Sequence, residues 1–255
     1  MSPRSVSGGT GAAGLEAGTD SIIESPTVAS VPPVPTPAEL ADNLARVEER
    51  IQSACARAGR PRESVLLLAV SKVFPAEAIV RAHALGLRDF GENYVQEMET
   101  KAPAVCPLDA RFHLIGHLQS NKSRRAAELF DVIQTVDSTR LARRLAESGR
   151  PLEVLIEVKL SEEESKHGAA PEDVPALVEA IRGLAPLRLT GLMTMPPWDE
   201  DAEAARPYFV RLRRLAEPLG LAQLSMGMSH DLETAIEEGA TIVRVGTALF
   251  GRRRA

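Results

Sequence analysis

The sequence has 255 residues, of which 44% are apolar and 25% charged, and it carries a net charge of −5. This is the balance of a globular protein with one large or two small domains, and it excludes a nucleic-acid binder that works by bulk charge. Two cysteines are too few for a disulfide framework, and there is no membrane-length apolar run or secretion signal. We therefore expect a cytoplasmic protein with neither nucleic-acid nor membrane partners.

Both ends of the chain have the composition of solvated termini. Residues 1–36 are rich in Gly, Ser, Ala, Thr and Pro, and such a segment cannot bury enough apolar surface to offset its ordering entropy. We expect a disordered tail without a catalytic role; the alternative is a proline-rich docking motif at 31–37. The arginines at 252–254 are expected to be a solvated terminus, because phosphate recognition needs a wider basic surface.

From Pro37 onward the chain alternates helical and strand patterns. Apolar residues recur at spacings of three and four, which predicts an amphipathic helix that ends near Gly59. Between later strands, Ser138 and Asp231 are candidate helix caps. Eight apolar runs are predicted to be strands: 65–70, 87–91, 112–116, 132–136, 154–160, 187–195, 223–228 and 241–245.

Strands that are apolar on both faces and alternate with helices indicate parallel pairing. Eight such units predict a single-domain (β/α)8 TIM barrel over residues 37–255, with an open doubly wound sheet as the alternative. In both architectures, function lies at the carboxyl ends of the strands. The residues that follow each run are therefore the candidates for chemistry.

Lys72 follows the first predicted strand and is one of only five lysines, against 25 arginines. An amine at the end of an apolar strand is partly desolvated, which favours the neutral, nucleophilic form that makes a Schiff base with an aldehyde. The alternative is a lysine whose stem lies along the barrel rim while its amine reaches solvent.

The next two strand ends are less specific. Asn93 follows the second strand and offers a ligand both a donor and an acceptor, but Glu92 or Asn93 could equally cap a helix. His113 and His117 lie four residues apart around the end of the third strand. Because no acidic third ligand is near in sequence, we do not expect a metal site there.

The last two strand ends have the features of a phosphate site, which such barrels commonly place there. Ser229 lies near a helix start, where N–H groups favour an anion, although it could also simply cap that helix. Gly246 exposes backbone N–H groups, and Thr247 adds a hydroxyl. Because side chains alternate along a strand, Arg244 and Gly246 point the same way, into the barrel mouth. An arginine there must meet a ligand or pair with an acid such as Glu157.

Taken together, these segments resemble the pyridoxal phosphate homeostasis protein family, whose single-domain barrels are similar to the N-terminal domain of alanine racemase. Any one segment is weak evidence, but seven in matching order are specific. The resemblance covers about residues 37–252 and rests on 69–72, 90–94, 112–122, 163–168, 191–195, 225–229 and 244–251.

The resemblance implies that pyridoxal 5′-phosphate (PLP) is the cofactor and that Lys72 carries it as a Schiff base. Arg244 would face the pyridine nitrogen and, because an arginine keeps its proton, would leave that nitrogen unprotonated. The other implied contacts are Ser229, Gly246 and Thr247 for the phosphate, and Asn93 and Met226 around the ring. No role is expected for His117, His167 or His230.

The resemblance implies a PLP carrier that takes part in PLP homeostasis without turnover, with PLP-dependent apoenzymes as partners. The alternatives are an amino-acid racemase that uses Lys72 as one base, and a Schiff-base aldolase without PLP. Alanine racemase needs a second domain that brings a tyrosine from the partner subunit, whereas this chain ends four residues after Gly251. Tyr94 and Tyr208 are predicted to lie in helical stretches. We therefore expect a non-catalytic monomer.

Overall fold

The structure, a computed structural model, describes residues 32–161, 163 and 167–251. Eight parallel strands close into a barrel in which each strand pairs with the next and β8 pairs with β1. The predicted TIM barrel is confirmed, and the alternative of an open sheet is wrong. The strands are β1 (Leu66–Val70), β2 (Asp89–Glu92), β3 (Arg111–Leu114), β4 (Val132–Val136), β5 (Leu152–Glu157), β6 (Leu187–Met193), β7 (Gln223–Met228) and β8 (Ile242–Val245).

Helices alternate with these strands and cover the outside of the barrel. The Ser138 cap is confirmed, because its side chain accepts a hydrogen bond from the N–H of Leu141 at 3.3 Å. Asp231 precedes α8, but its carboxylate accepts from the N–H of Met228 at 2.6 Å instead of from the helix. The helices are α1 (Pro37–Arg57), α2 (Ala76–Ala84), α3 (Val95–Val105), α4 (Ser123–Leu129), α5 (Thr139–Ala146), α6 (Val174–Arg182), α7 (Arg206–Ala216), α8 (Leu232–Glu237) and α9 (Thr247–Phe250).

Strand alternation separates two apolar layers. One cluster fills the barrel interior: Leu68, Val70, Ile115, Val132, Leu155, Met193 and Ile242. The other packs between strands and helices and includes Leu67, Ala69, Val243 and Val245. The interior side of β5 and β8 continues two residues past Leu155 and Ile242 into Glu157 and Arg244, which are both buried.

The N-terminal helix is attached to the barrel by the residues that precede it. Thr36 and Glu39 form a capping box at the start of α1. The Pro35 carbonyl accepts a hydrogen bond from Arg81 at 2.6 Å, and Val34 packs against the core. Val34 and Pro35, which the sequence assigned to the tail, thus contact the barrel. The rest of the predicted tail and the arginines at 252–254 lie outside the described residues.

Two other sequence-based placements differ from the structure. Tyr94 lies in the loop before α3, where it is 59% exposed, whereas Tyr208 lies in α7 as predicted. The predicted strand 154–160 is shifted, because Val158 and Leu160 stay buried after the β5 ladder ends. No helix within the described ranges is long and apolar enough to cross a membrane.

Candidate functional site

Lys72 and Gly246 leave neighbouring strands at the same end of the barrel. Ala69 of β1 pairs with Val245 of β8, so the two loops begin side by side. A Cβ atom added to residue 246 would lie 3.2 Å from the carbonyl oxygen of Val70, so the close approach of these strand ends favours glycine. The structure therefore brings the predicted lysine next to the predicted phosphate loop.

The residue before Lys72 is held by a buried ion pair. Ser71 is fully buried, and its hydroxyl donates to Glu92 Oε1 at 2.7 Å. Lys101 Nζ donates to the same carboxylate oxygen at 2.6 Å and to the Ser71 carbonyl oxygen at 2.9 Å. Since Ser71 is bound through both side chain and backbone, moving this part of the loop breaks two buried hydrogen bonds to charged groups.

The residue after Lys72 is tied to the same ion pair. Val73 has a φ of +66° and is the one non-glycine residue with a positive φ in the described part of the chain. A β-branched residue in this region is strained. Its N–H donates to Glu97 Oε1 at 2.5 Å, and that oxygen lies 2.7 Å from Lys101 Nζ. Lys72 is thus presented by a loop that is fixed on both sides.

We call Ser71, Val73, Glu92, Glu97 and Lys101 the Lys101 clamp. Burial raises the pKa of Glu92 to about 7, although Lys101 and Ser71 act in the opposite direction. Glu92 is therefore a buried partner of Lys101, and the suggestion that it caps a helix is wrong. Sequence reasoning missed Lys101 altogether; the scarcity of lysines was the one signal that pointed to it.

Arg244 is the buried cation of the barrel mouth. Nη1 donates to Ser225 Oγ and Nη2 to the Thr194 carbonyl oxygen, both at 2.9 Å. Burial lowers the pKa of Arg244 to about 10, so it stays protonated at neutral pH, helped by Asp231 and Glu157. Among the described residues no ion pair joins Arg244 to Glu157, so the predicted alternative of a salt bridge is wrong.

A chain of buried hydrogen bonds supports Arg244 from inside the barrel. Ser225 Oγ donates to Gln134 Oε1 at 2.6 Å, and Gln134 Nε2 lies 2.9 Å from His113 Nδ1. His113 Nε2 lies 3.0 Å from Asp89 Oδ1. His113 therefore has a structural role, and the orientation of Arg244 depends on residues from four other strands.

The predicted phosphate residues converge on one hydroxyl. Ser229 Oγ accepts hydrogen bonds from the N–H groups of Gly246 and Ala248, both at 3.3 Å. Thr247 lies between these two donors, at the start of α9, with its side chain exposed. Both N–H groups orient the Ser229 hydroxyl, and backbone N–H groups that converge on a neutral hydroxyl also suit an anionic oxygen that replaces it.

The last two predicted contacts have different outcomes. Asn93 is half-buried at the end of β2, where its backbone carbonyl approaches Gly116 so closely that an added Cβ would lie 2.2 Å away. Met226 is not brought to the mouth. It is fully buried in the layer between strands and helices, because its neighbour Ser225 points into the barrel and alternation turns Met226 outward.

Comparison with known proteins identifies the relatives of this chain. Residues 43–254 match the family model described as alanine racemase, N-terminal domain. The chain is 51% identical over 220 residues to the pyridoxal phosphate homeostasis protein of Pseudomonas aeruginosa, which covers 84% of this chain and 96% of that protein. It is 45% identical over 223 residues to the protein of the same name from Aquifex aeolicus, covering 84% and 98%.

Solved structures give the same grouping. PipY of Synechococcus elongatus, solved with PLP bound, is 41% identical and superposes with a TM-score of 0.73 over 83% of this chain and 100% of that chain. An alanine racemase from Clostridium difficile superposes with a TM-score of 0.66 over 86% of this chain and 58% of that chain. At 15% identity, the racemase supports the fold alone.

Proposed function

Since this chain belongs to the pyridoxal phosphate homeostasis protein family, we propose that it binds PLP through Lys72 and holds it as a carrier. One observation carries the proposal: a lysine, a buried arginine and two converging backbone N–H groups meet at the ends of β1, β7 and β8. PipY, which was solved with PLP bound, is a relative at 41% identity.

The groups at the barrel mouth fit the chemistry of PLP. The aldehyde of PLP supplies a reversible Schiff-base linkage to a primary amine. Lys72 offers that amine from the Lys101 clamp. Ser229 and Thr247 offer hydroxyl donors to a phosphate, and the Gly246 N–H orients the Ser229 hydroxyl, which still has its own hydrogen to donate while it accepts from Gly246. Asn93, half-buried at the end of β2, is proposed to lie beside the ring.

We favour carriage without turnover because the relatives at 51% and 45% identity are named as homeostasis proteins. Arg244 does not separate the two functions, because alanine racemase has an arginine in the corresponding place. A guanidinium keeps its proton, so it can donate to a pyridine nitrogen without protonating it, and the ring is then a weaker electron sink than beside an aspartate. We therefore expect the PLP-loaded protein to leave L-alanine unracemised, as measured by chiral chromatography. We further propose that the chain acts as a monomer and passes PLP to PLP-dependent apoenzymes.

The phosphate site is tested by the double variant Ser229→Ala, Thr247→Val. Each hydroxyl contributes a charge-assisted hydrogen bond of about 1.5–3 kcal/mol to a bound phosphate. If the losses are nearly additive, PLP should bind roughly 100-fold more weakly or worse. Affinity is measured by absorbance titration of the PLP–protein complex.

Pyridoxal is the matched control for this variant, because it has the aldehyde and ring of PLP but no phosphate. Its affinity should barely change in the same double variant. Equal losses for PLP and pyridoxal would contradict the placement of the phosphate between the ends of β7 and β8. Thr190→Val, which removes a β6 hydroxyl that donates to the Val154 carbonyl, controls for loss of a threonine elsewhere in the barrel.

A further inference from the structure

A cavity of about 490 Å³ lies at the carboxyl ends of β5, β6 and β7, across the barrel from β1. None of the residues that we place around PLP lines this cavity. Much of its wall is apolar: Val158, Leu160, Met195, Pro196, Trp198 and Met228. The cavity is therefore separate from the proposed phosphate site but opens at the same end of the barrel.

Two buried polar atoms in this cavity have no hydrogen-bond partner among the described residues. They are Glu157 Oε2 and Ser161 Oγ, and both residues line the cavity. Glu157 is only 4% exposed. A buried carboxylate oxygen without a donor is costly. A ligand that brings an N–H donor into the cavity would remove that cost.

The charges around Glu157 favour a cation over an anion. Arg244 attracts the Glu157 carboxylate, but its two terminal nitrogens already donate to Ser225 and Thr194, and Asp137 repels the carboxylate. Burial therefore raises the pKa of Glu157 to about 7. The other titratable residues on the cavity wall are His117, Lys159, Glu163 and His167.

The two histidines do not supply an anion site. The rings of His117 and His167 stack with centroids 3.7 Å apart. Burial, together with His167, lowers the pKa of His117, which disfavours the charged form of that ring. Among the titratable residues on the wall, Glu157 is buried, Lys159 is half-buried, and His117, Glu163 and His167 are exposed.

We propose that this cavity binds the primary ammonium group of a small amine, with the Glu157 carboxylate as its acceptor and the apolar wall against its carbon chain. The ammonium group supplies the donor that Glu157 Oε2 lacks. The inference stands on the cavity alone and does not need the proposed PLP site. If both sites are used, an amine and PLP share one barrel mouth.

Trp198 provides a direct probe, because it lines the cavity and is the only tryptophan in the chain. We would titrate the full-length protein with n-butylamine and follow Trp198 fluorescence, with n-butanol as the neutral control. Butylamine should bind and butanol should bind at least about tenfold more weakly, since a hydroxyl can donate to the carboxylate but brings no positive charge. Equal affinities for the two ligands, or no binding of butylamine, would overturn the proposal.

The pH dependence identifies the acceptor. An alkylamine stays protonated near neutrality, as a lysine side chain does with its pKa of about 10.4. As Glu157 ionises, the ammonium group gains its acceptor, so affinity should rise roughly tenfold from about pH 6 to about pH 8, and the Glu157→Gln variant separates this rise from any contribution of His117 and His167. An affinity that falls over this range would refute Glu157 as the acceptor.

The matched variants are Glu157→Gln and Glu163→Gln. Both remove one carboxylate from the wall of the same cavity, but residue 163 is exposed. Glu157→Gln should weaken butylamine binding about tenfold or more and abolish its pH dependence, whereas Glu163→Gln should change affinity less than about twofold. The reverse order would overturn the proposal. The absorbance band of bound PLP is recorded in parallel: if only that band responds to butylamine, the amine reacts with PLP and the cavity site is refuted.

Discussion

Two glutamates on opposite sides of the barrel mouth have the same burial and different surroundings. Glu92 ends β2 and Glu157 ends β5; they are 0% and 4% exposed, and burial raises the pKa of each to about 7. Glu92 Oε1 accepts from both Lys101 and Ser71. The Oε2 atoms of both glutamates have no partner among the described residues, but Glu157 lines a cavity and accepts from neither a lysine nor a serine.

The difference shows that one desolvated carboxylate can stabilise a loop, whereas another can bind a ligand. On the β1–β2 side, the cation that compensates Glu92 comes from the protein itself, so the carboxylate fixes the loop around Lys72. On the β5 side, Arg244 attracts the Glu157 carboxylate, but its two terminal nitrogens donate to Ser225 and Thr194. We infer that the compensating cation for Glu157 comes from a ligand.

The largest effect is expected from replacing Lys72, which lies in the loop fixed by the Lys101 clamp. Lys72→Ala should abolish covalent attachment of PLP while the barrel stays folded, because no other amine is held by the Lys101 clamp at this position. Borohydride reduction followed by peptide mapping measures attachment. Lys122→Ala is the control and should retain it. Recovery of the label on Lys122 or Lys159 in the unaltered protein would show that Lys72 is wrongly assigned.

Breaking the clamp itself should cost stability. Lys101→Met leaves Glu92 buried without its cation, and removing one partner of a buried pair typically costs about 3–5 kcal/mol. The loss should be smaller near pH 5 than near pH 8, because Glu92 takes up a proton below its raised pKa. Urea denaturation measures the free energy of unfolding.

Two further variants make this test specific. Adding Glu92→Gln to Lys101→Met should restore part of the stability, because no charge is then buried alone. Lys122→Met removes a lysine from a short turn before α4 and should change stability little. If Lys101→Met proves no more destabilising than Lys122→Met, the clamp does not hold the Lys72 loop.

The barrel was predictable because its signals are local and repeated. Runs such as 132–136 and 223–228 coincide with β4 and β7, since an apolar run bounded by turn residues needs no distant partner to be recognised. The predicted end of a strand was wrong where a residue stays buried after the strand has ended. Val158 is buried but lies beyond β5: its N–H still donates to the Met193 carbonyl of β6, and an isolated bridge joins it to Ala169.

The site was only partly predictable, because some of its parts meet through the fold alone. Ser229, Arg244 and Gly246 follow strand ends, and that rule places them at the mouth. Lys101 lies inside α3 and Gln134 inside β4, and no local pattern links either one to Lys72 or Arg244. Met226 was misplaced because the inward or outward orientation of β7 is set by the contacts of Ser225.

The smallest expected effect is on the free energy of unfolding at high pH, which should change in opposite directions when Glu157 and Glu92 are replaced. Folded Glu157 has a pKa of about 7 against 4.5 for an ordinary glutamate. The folded chain therefore keeps a proton that the unfolded chain has lost between these values, so stability falls as pH rises from about 4.5 to about 7, by about 3 kcal/mol, and levels off above. Glu157→Gln removes this loss, so the variant should be more stable than the unaltered protein near pH 8.5 and equal to it near pH 4.5.

Urea denaturation across this pH range compares Glu157→Gln with Glu92→Gln. Near pH 8.5 the Glu92 variant should be destabilised, because it leaves Lys101 with Glu97 as its one remaining carboxylate partner among the described residues. Glu163→Gln removes an exposed carboxylate and should show no change in slope. If Glu157→Gln were also destabilised near pH 8.5, Glu157 would already be compensated within the protein. The contrast with Glu92 would then disappear, and so would the reason to expect a cation in the cavity.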